Sequence, residues 1–93
     1  MPYYVYIATN PAKTVLYIGI TNNLTDRMAQ HYANRGSTST FAGRYFCYNL
    51  VHVEEYPNIN AAIAREKEVK GWTRAKKDAL IAVDNPERIS LQT

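Results

Sequence analysis

The chain has 93 residues, a mass of 10.6 kDa and a formal net charge of +3. That is enough for one domain over residues 1–93 and too little for a second folded unit, because independent domains mostly span about 50 to 250 residues. With 46% apolar and 20% charged residues it is too hydrophobic to stay disordered. The single cysteine, Cys47, excludes an internal disulfide, and no Cys/His spacing fits a structural zinc site. No apolar run approaches the about 18 residues of a membrane span, and Met1-Pro2-Tyr3-Tyr4 lacks the basic and apolar start of a signal peptide. The expectation is a cytoplasmic protein in a reducing setting, with no membrane partner.

Tyr3 to Ala8 is rich in aromatic and β-branched residues and is stopped by Thr9-Asn10-Pro11, which reads as a strand and a turn. Val15 to Ile20 has the same composition, and the short Asn10–Thr14 connection suits an antiparallel hairpin. Thr21-Asn22-Asn23 offers helix caps, so a helix is predicted from Leu24 to Ala33. Leu24, Met28 and Tyr32 form its sheet-facing stripe, while Arg27 and His31, at i and i+4, meet along the edge of that stripe. Asn34 to Thr40 is small, polar and basic and reads as an exposed loop.

Phe46 to Glu54 is apolar in its middle and reads as a third, central strand, with His52 in a structural role. Tyr56-Pro57-Asn58 ends it. Asn60 is expected to cap a helix from Ala61 to Lys70, which Gly71 terminates. Ile59, Ala62, Ile63 and Val69 set its inward face, and Glu66 falls on that same face. A carboxylate at a core boundary needs compensation. Lys70 at i+4 or an arginine elsewhere would supply it, and so would a metal ion; position alone leaves both open. Thr73 caps a last helix, Arg74 to Val83, with Ala75, Ala79, Leu80 and Val83 inward.

The charge is clustered. Nine basic and four acidic residues lie between Arg27 and Lys77, a local +5, and the ends are neutral to acidic. A polyanion partner fits such a cluster, as does an ordinary solvated helix face.

The element order is therefore ββαβαα, an α+β class. Tyr4-Val5-Tyr6 and Tyr17-Ile18-Gly19, followed by Thr21, Leu24, Arg27 and His31 and by Arg65-Glu66-Lys67-Glu68-Val69-Lys70-Gly71-Trp72, resemble the GIY-YIG nuclease domain. The resemblance covers nearly the whole chain and is greatest to the small stand-alone bacterial proteins of that superfamily. The first motif departs from the family name, with Tyr-Val-Tyr in place of Gly-Ile-Tyr; only its last tyrosine carries the expected chemistry.

The resemblance implies a three-stranded antiparallel sheet flanked by helices, and a metal-dependent endonuclease that cuts DNA phosphodiesters in repair or recombination. It implies Tyr6, Tyr17, Arg27, His31 and Glu66 as catalytic residues, with Glu66 anchoring Mg²⁺ or Mn²⁺, Arg27 clamping phosphoryl oxygens, and one of the two tyrosines, Tyr6 before Tyr17, orienting or deprotonating the attacking water. His31 would assist that proton transfer or position a tyrosine hydroxyl. Asn85 matches an asparagine that closes the site in longer relatives. Arg35, Arg44, Lys67, Lys70, Arg74, Lys76 and Lys77 would hold the DNA backbone without reading sequence. Target choice would then come from DNA structure, a protein partner or a homodimer. The alternative is a non-catalytic nucleic-acid-binding module on the same fold.

Overall fold

Asn10 closes the first hairpin. Its Oδ1 accepts the backbone N–H groups of Thr14 and Val15 at 2.8 and 2.9 Å, and Lys13 takes a left-handed conformation to complete the turn. The computed structural model describes all residues, 1–93. Its elements are β1 (Tyr3–Thr9), β2 (Leu16–Thr21), α1 (Leu24–Ala33), α2 (Phe41–Arg44), β3 (Asn49–Tyr56), α3 (Ile59–Lys70) and α4 (Arg74–Asp84). The three strands form one antiparallel sheet in the order β2-β1-β3, so β1 rather than β3 is central.

The two-residue period of β1 divides the core between the sheet's faces. Val5 and Ile7 pack with Ile18 and Val51, and with Ala62, Val69 and Ile81 of α3 and α4. Tyr6 and Ala8 face the opposite way, packing with Leu50, Ala42 and Cys47 against a fringe that includes Tyr17, Leu24 and Met28. A bulge between Ile7 and Ala8 sets Ile7 opposite His52 and Ala8 opposite Leu50, leaving Val51 as the extra residue. His52, Glu54 and Tyr56 then share the face covered by α3.

Gly19 lies opposite Tyr6 in this register. A Cβ at Gly19 would sit 2.5 Å from the Tyr6 hydroxyl oxygen and 2.6 Å from its ring, and Tyr6 has no exposed surface into which to move. The glycine is what leaves room for the phenol.

Several elements differ from their sequence reading. The segment Phe41–Arg44, to which the sequence reading assigned no element, is a helical turn capped by Thr40, and Gly43 packs so closely that a Cβ there would be 2.7 Å from the carbonyls of Asn34 and Ser37. β3 therefore starts at Asn49 and not at Phe46. Asn58, not Asn60, caps α3, its Oδ1 accepting the Ala61 N–H at 2.9 Å. Ile59 and Tyr32 are half exposed, because Ile59 is the first helical residue beyond the sheet and Tyr32 stacks edge-on against Tyr48. In α4 the inward stripe is Lys77, Leu80 and Ile81, while Ala75, Ala79 and Val83 face out. Leu80 and Ile81 seat that face on the core, and polar clamps hold it: Arg74 donates to the Thr14 carbonyl at 2.8 Å, and Asp78 pairs with both Arg74 and Arg88.

Glu54 accepts four hydrogen bonds, from His52 Nε2, the Tyr56 hydroxyl and Arg65 Nε and Nη2. Burial alone would raise its pKa, but the bonds from Arg65, His52 and Tyr56 outweigh burial and hold the carboxyl down to about 2. This saturated carboxylate joins β3 to α3, and His52 has the structural role read from the sequence.

Two stability measurements check this packing. Gly19→Ala should lose about 1–3 kcal/mol in urea unfolding, the range for overpacking a filled core. Glu54→Gln should cost about 2 kcal/mol near neutral pH. Because the folded pKa of Glu54 is depressed, the wild-type advantage should be full above about pH 5 and shrink as the pH falls toward 2.

Candidate active site

β1 and β2 bring Tyr6 and Tyr17 onto one face, with ring centroids 6.1 Å apart. Opposite them α1 supplies Arg27 and His31 from successive turns. The helix starts where Asn23 Oδ1 accepts the Asp26 N–H at 3.0 Å, and Leu24 and Met28 seat it on the sheet. The His31 ring then packs against both tyrosines, with centroids 5.8 Å from Tyr6 and 5.3 Å from Tyr17. His31 Nε2 and the Tyr6 hydroxyl are hydrogen-bonded at 2.8 Å.

Burial separates the two tyrosines. Tyr6 is fully enclosed, whereas Tyr17 is half-buried and lines a cleft of about 150 Å³ together with Arg27, Gln30, His31, Asn34 and Phe41. Burial first, then the neighbouring Tyr17 phenol and the Glu66 carboxylate, push the Tyr6 pKa well above its ordinary value; Arg27 opposes them without prevailing. Tyr6 is thus a neutral phenol out of reach of solvent. Of the two tyrosines expected to orient or deprotonate the attacking water, Tyr17 is the one that lines the cleft. Burial, and secondarily the Arg27 charge, lower the pKa of His31 and keep its imidazole neutral at pH 7.

Arg27 makes no ion pair with any carboxylate, in contrast to Arg65, Arg74 and Arg88. Glu66 comes from α3, across the sheet, and lies within electrostatic reach of the Tyr6 hydroxyl. Its side chain is 19% exposed and its one partner is Lys70 Nζ, at 3.5 Å from Oε2. This is a loose contact beside the 2.8 Å pairs of Glu54, and it leaves most of the acceptor capacity of Glu66 unfilled. No three His, Cys, Asp or Glu side chains are grouped around a metal position. A lone hard oxygen donor of this kind fits an ion such as Mg²⁺, which keeps several waters and takes further ligands from phosphate. It does not fit zinc, which takes three or four protein ligands.

Asn85 does not join this group. It caps α4, is buried, donates to the carbonyls of Val51 and Ile89 and accepts the Ile89 N–H, so it ties the C-terminal segment to the β3 bulge. The basic residues also divide. Lys70 and Lys77 line a second hollow beside Tyr17 and Phe41. Arg74 is held by Asp78 and Thr14, and Lys76 lies 4.3 Å over the Trp72 ring. Arg35 covers Tyr32, Arg44 donates to the Thr38 carbonyl, and Lys67 is exposed.

Gln30, Asn34 and Phe41 were missed in the sequence. The first two follow Arg27 at i+3 and i+7, a helical stripe that was open to view; Phe41 gave no such signal because its helix is four residues long.

An antiparallel β2-β1-β3 sheet carrying paired tyrosines, an arginine–histidine helix edge and a glutamate from the next helix defines a GIY-YIG domain. The GIY-YIG catalytic domain family matches residues 2–78, and the chain belongs to that family of nucleases, which act on nucleic acid and typically use divalent metals. Its relatives are small proteins of the UPF0213 group. One from Natronomonas pharaonis is 41% identical over 80 residues, 86% of this chain and 91% of the relative. Another from Syntrophus aciditrophicus is 37% identical over 87 residues, covering 92% and 95%. The solution NMR structure of a UPF0213 protein from Bacillus halodurans is 30% identical, with a TM-score of 0.58 over 94% of this chain and 89% of that one. No helix is long and apolar enough to cross a membrane.

The electrostatics of the cleft can be read by NMR. The His31 imidazole should titrate below 6.5, and Arg27→Gln should move the midpoint upward without restoring the ordinary value, since burial, the larger cause, remains.

Proposed function

We propose that this chain is a divalent-metal-dependent endonuclease that hydrolyses DNA phosphodiesters, with repair or recombination as its setting. The observation that carries the reading is the meeting of Tyr17, Arg27 and His31 at one cleft beside the enclosed Tyr6 hydroxyl, which is hydrogen-bonded to His31 Nε2, with Glu66 of α3 within electrostatic reach of that hydroxyl.

Each group has a role that suits its surroundings. The Arg27 guanidinium, free of carboxylates and lining the cleft, forks onto the non-bridging oxygens of the attacked phosphate. His31, neutral at pH 7, accepts the proton of the attacking water. In the tautomer that does so, Nε2–H donates to the Tyr6 oxygen and Nδ1 keeps its lone pair. Tyr6 is then a positioning residue that fixes the ring and receives part of the charge as the imidazolium forms. Tyr17, the tyrosine at the cleft, orients the water. Glu66 would hold Mg²⁺ or Mn²⁺, and such an ion, when bound, neutralises charge on the phosphoryl oxygens and acidifies water. Lys70 and Lys77, beside the cleft, attract the DNA backbone, so binding should weaken steeply with salt.

The test is cleavage of labelled duplex, flap, junction and single-stranded DNA with Mg²⁺ or Mn²⁺. Glu66→Ala should abolish metal-dependent cutting, and His31→Ala should reduce it by about 10²- to 10⁴-fold. Tyr6→Phe should lower kcat and move the acid limb of the pH profile downward, because the protonated ring loses an acceptor; a purely structural role would leave that limb in place. Equal, salt-sensitive DNA binding by wild type and Glu66→Ala with no cutting by either would instead make the chain a binding module.

A further inference from the structure

Four aromatic side chains between Tyr32 and Phe46 are half-exposed: Tyr32, Phe41, Tyr45 and Phe46, each at 43–51%. Apolar residues exposed singly are ordinary, but Phe41 is not single. Its ring centroid is 4.7 Å from that of Tyr45 and 6.3 Å from that of Tyr17, with Phe41 and Tyr17 only 25° from coplanar. Tyr17 belongs to the cleft, and Phe41 lines both that cleft and the adjoining hollow with Lys70 and Lys77. An aromatic face thus continues the candidate active site outward, between positive charges.

The local backbone holds that ring in place. Thr40 caps the turn, Gly43 is wedged against the Asn34 and Ser37 carbonyls, and Ala42 and Cys47 are buried beneath. Phe46 takes a left-handed conformation to end the turn. A rigid, buried support therefore presents Phe41 to solvent. Electrostatics favour one kind of occupant, since no acidic residue lies between Asp26 and Glu54, a stretch that includes Arg27, Arg35 and Arg44. A polyanion with flat apolar faces suits such a surface.

We propose that Phe41 stacks an unpaired nucleobase of the strand whose phosphate lies in the cleft, so that the protein selects single-stranded or locally unstacked DNA over continuous duplex. A base inside a duplex has both faces covered by its neighbours and offers none to Phe41; an unpaired base does. This rests on the reading above that the cleft takes a DNA strand, and it adds which strand.

The experiment measures binding of wild type in EDTA, where no cutting interferes, to three fluorescent probes of equal phosphate number: an unpaired oligonucleotide, a hairpin duplex and an abasic strand. Wild type should bind the unpaired probe at least about tenfold more tightly than the other two. Phe41→Leu, which keeps apolar bulk, should lose that advantage while leaving duplex binding within about twofold, and Phe41→Trp should retain it. Thermal melts establish that each variant is folded, and Phe41→Trp still decides the matter if Phe41→Leu does not fold. Equal binding of the abasic and unpaired probes, or equal weakening of unpaired and duplex binding by Phe41→Leu, would overturn the proposal. Metal-dependent cutting with no effect of Phe41 would remove this inference alone, whereas the stacking pattern without any cutting would remove only the nuclease reading.

Discussion

The fit of the Tyr6 ring over Gly19 is the constraint on which the rest of the molecule depends. A phenol on the central strand can be enclosed only if the residue opposite it has no side chain, and only if its hydroxyl finds a partner in the interior. His31 is that partner, so α1 has to sit where its last turn meets the sheet. Arg27, one turn earlier, is then carried to the same cleft, and Tyr17, two residues before Gly19, flanks the histidine from the neighbouring strand. One cross-strand pair thereby fixes the position of four functional side chains.

The two partly buried glutamates of the structure show how burial and function separate. Glu54 is surrounded by donors and held as a carboxylate by four hydrogen bonds, which makes it a joint between β3 and α3 with no capacity left for a ligand. Glu66 is as enclosed but has one loose lysine contact. Unlike that of Glu54, its carboxylate keeps acceptor positions that suit a metal ion and its substrate phosphate.

Much of this was legible in the sequence because it follows from local rules. The strands around Tyr6 and Tyr17 and the helix carrying Arg27 and His31 are set by alternation, turn residues and caps, and the motif order leads to Glu66. What was not legible depends on packing between distant segments. Exposure distinguishes Tyr6 from Tyr17, and no pattern of residue types encodes it. The turn that presents Phe41 is too short for periodicity and owes its shape to Gly43 meeting carbonyls of the preceding loop. Beyond Leu80 and Ile81, which seat α4 on the core, its position is held by Arg74, Asp78 and Arg88 reaching across the chain. Asn85 matched a family position by type, yet its contacts are those of a backbone clasp.

The order in which these parts meet along the chain has a consequence for folding. The hairpin and α1 are local in sequence and bring Tyr6, Tyr17, Arg27 and His31 together, while α3, which packs on all three strands, follows later in the chain. Glu66 arrives with that later helix. A partly folded chain, or one still emerging from the ribosome, would hold the proposed phosphate clamp without the proposed metal anchor. Any cutting activity would then be withheld until the tertiary structure is complete.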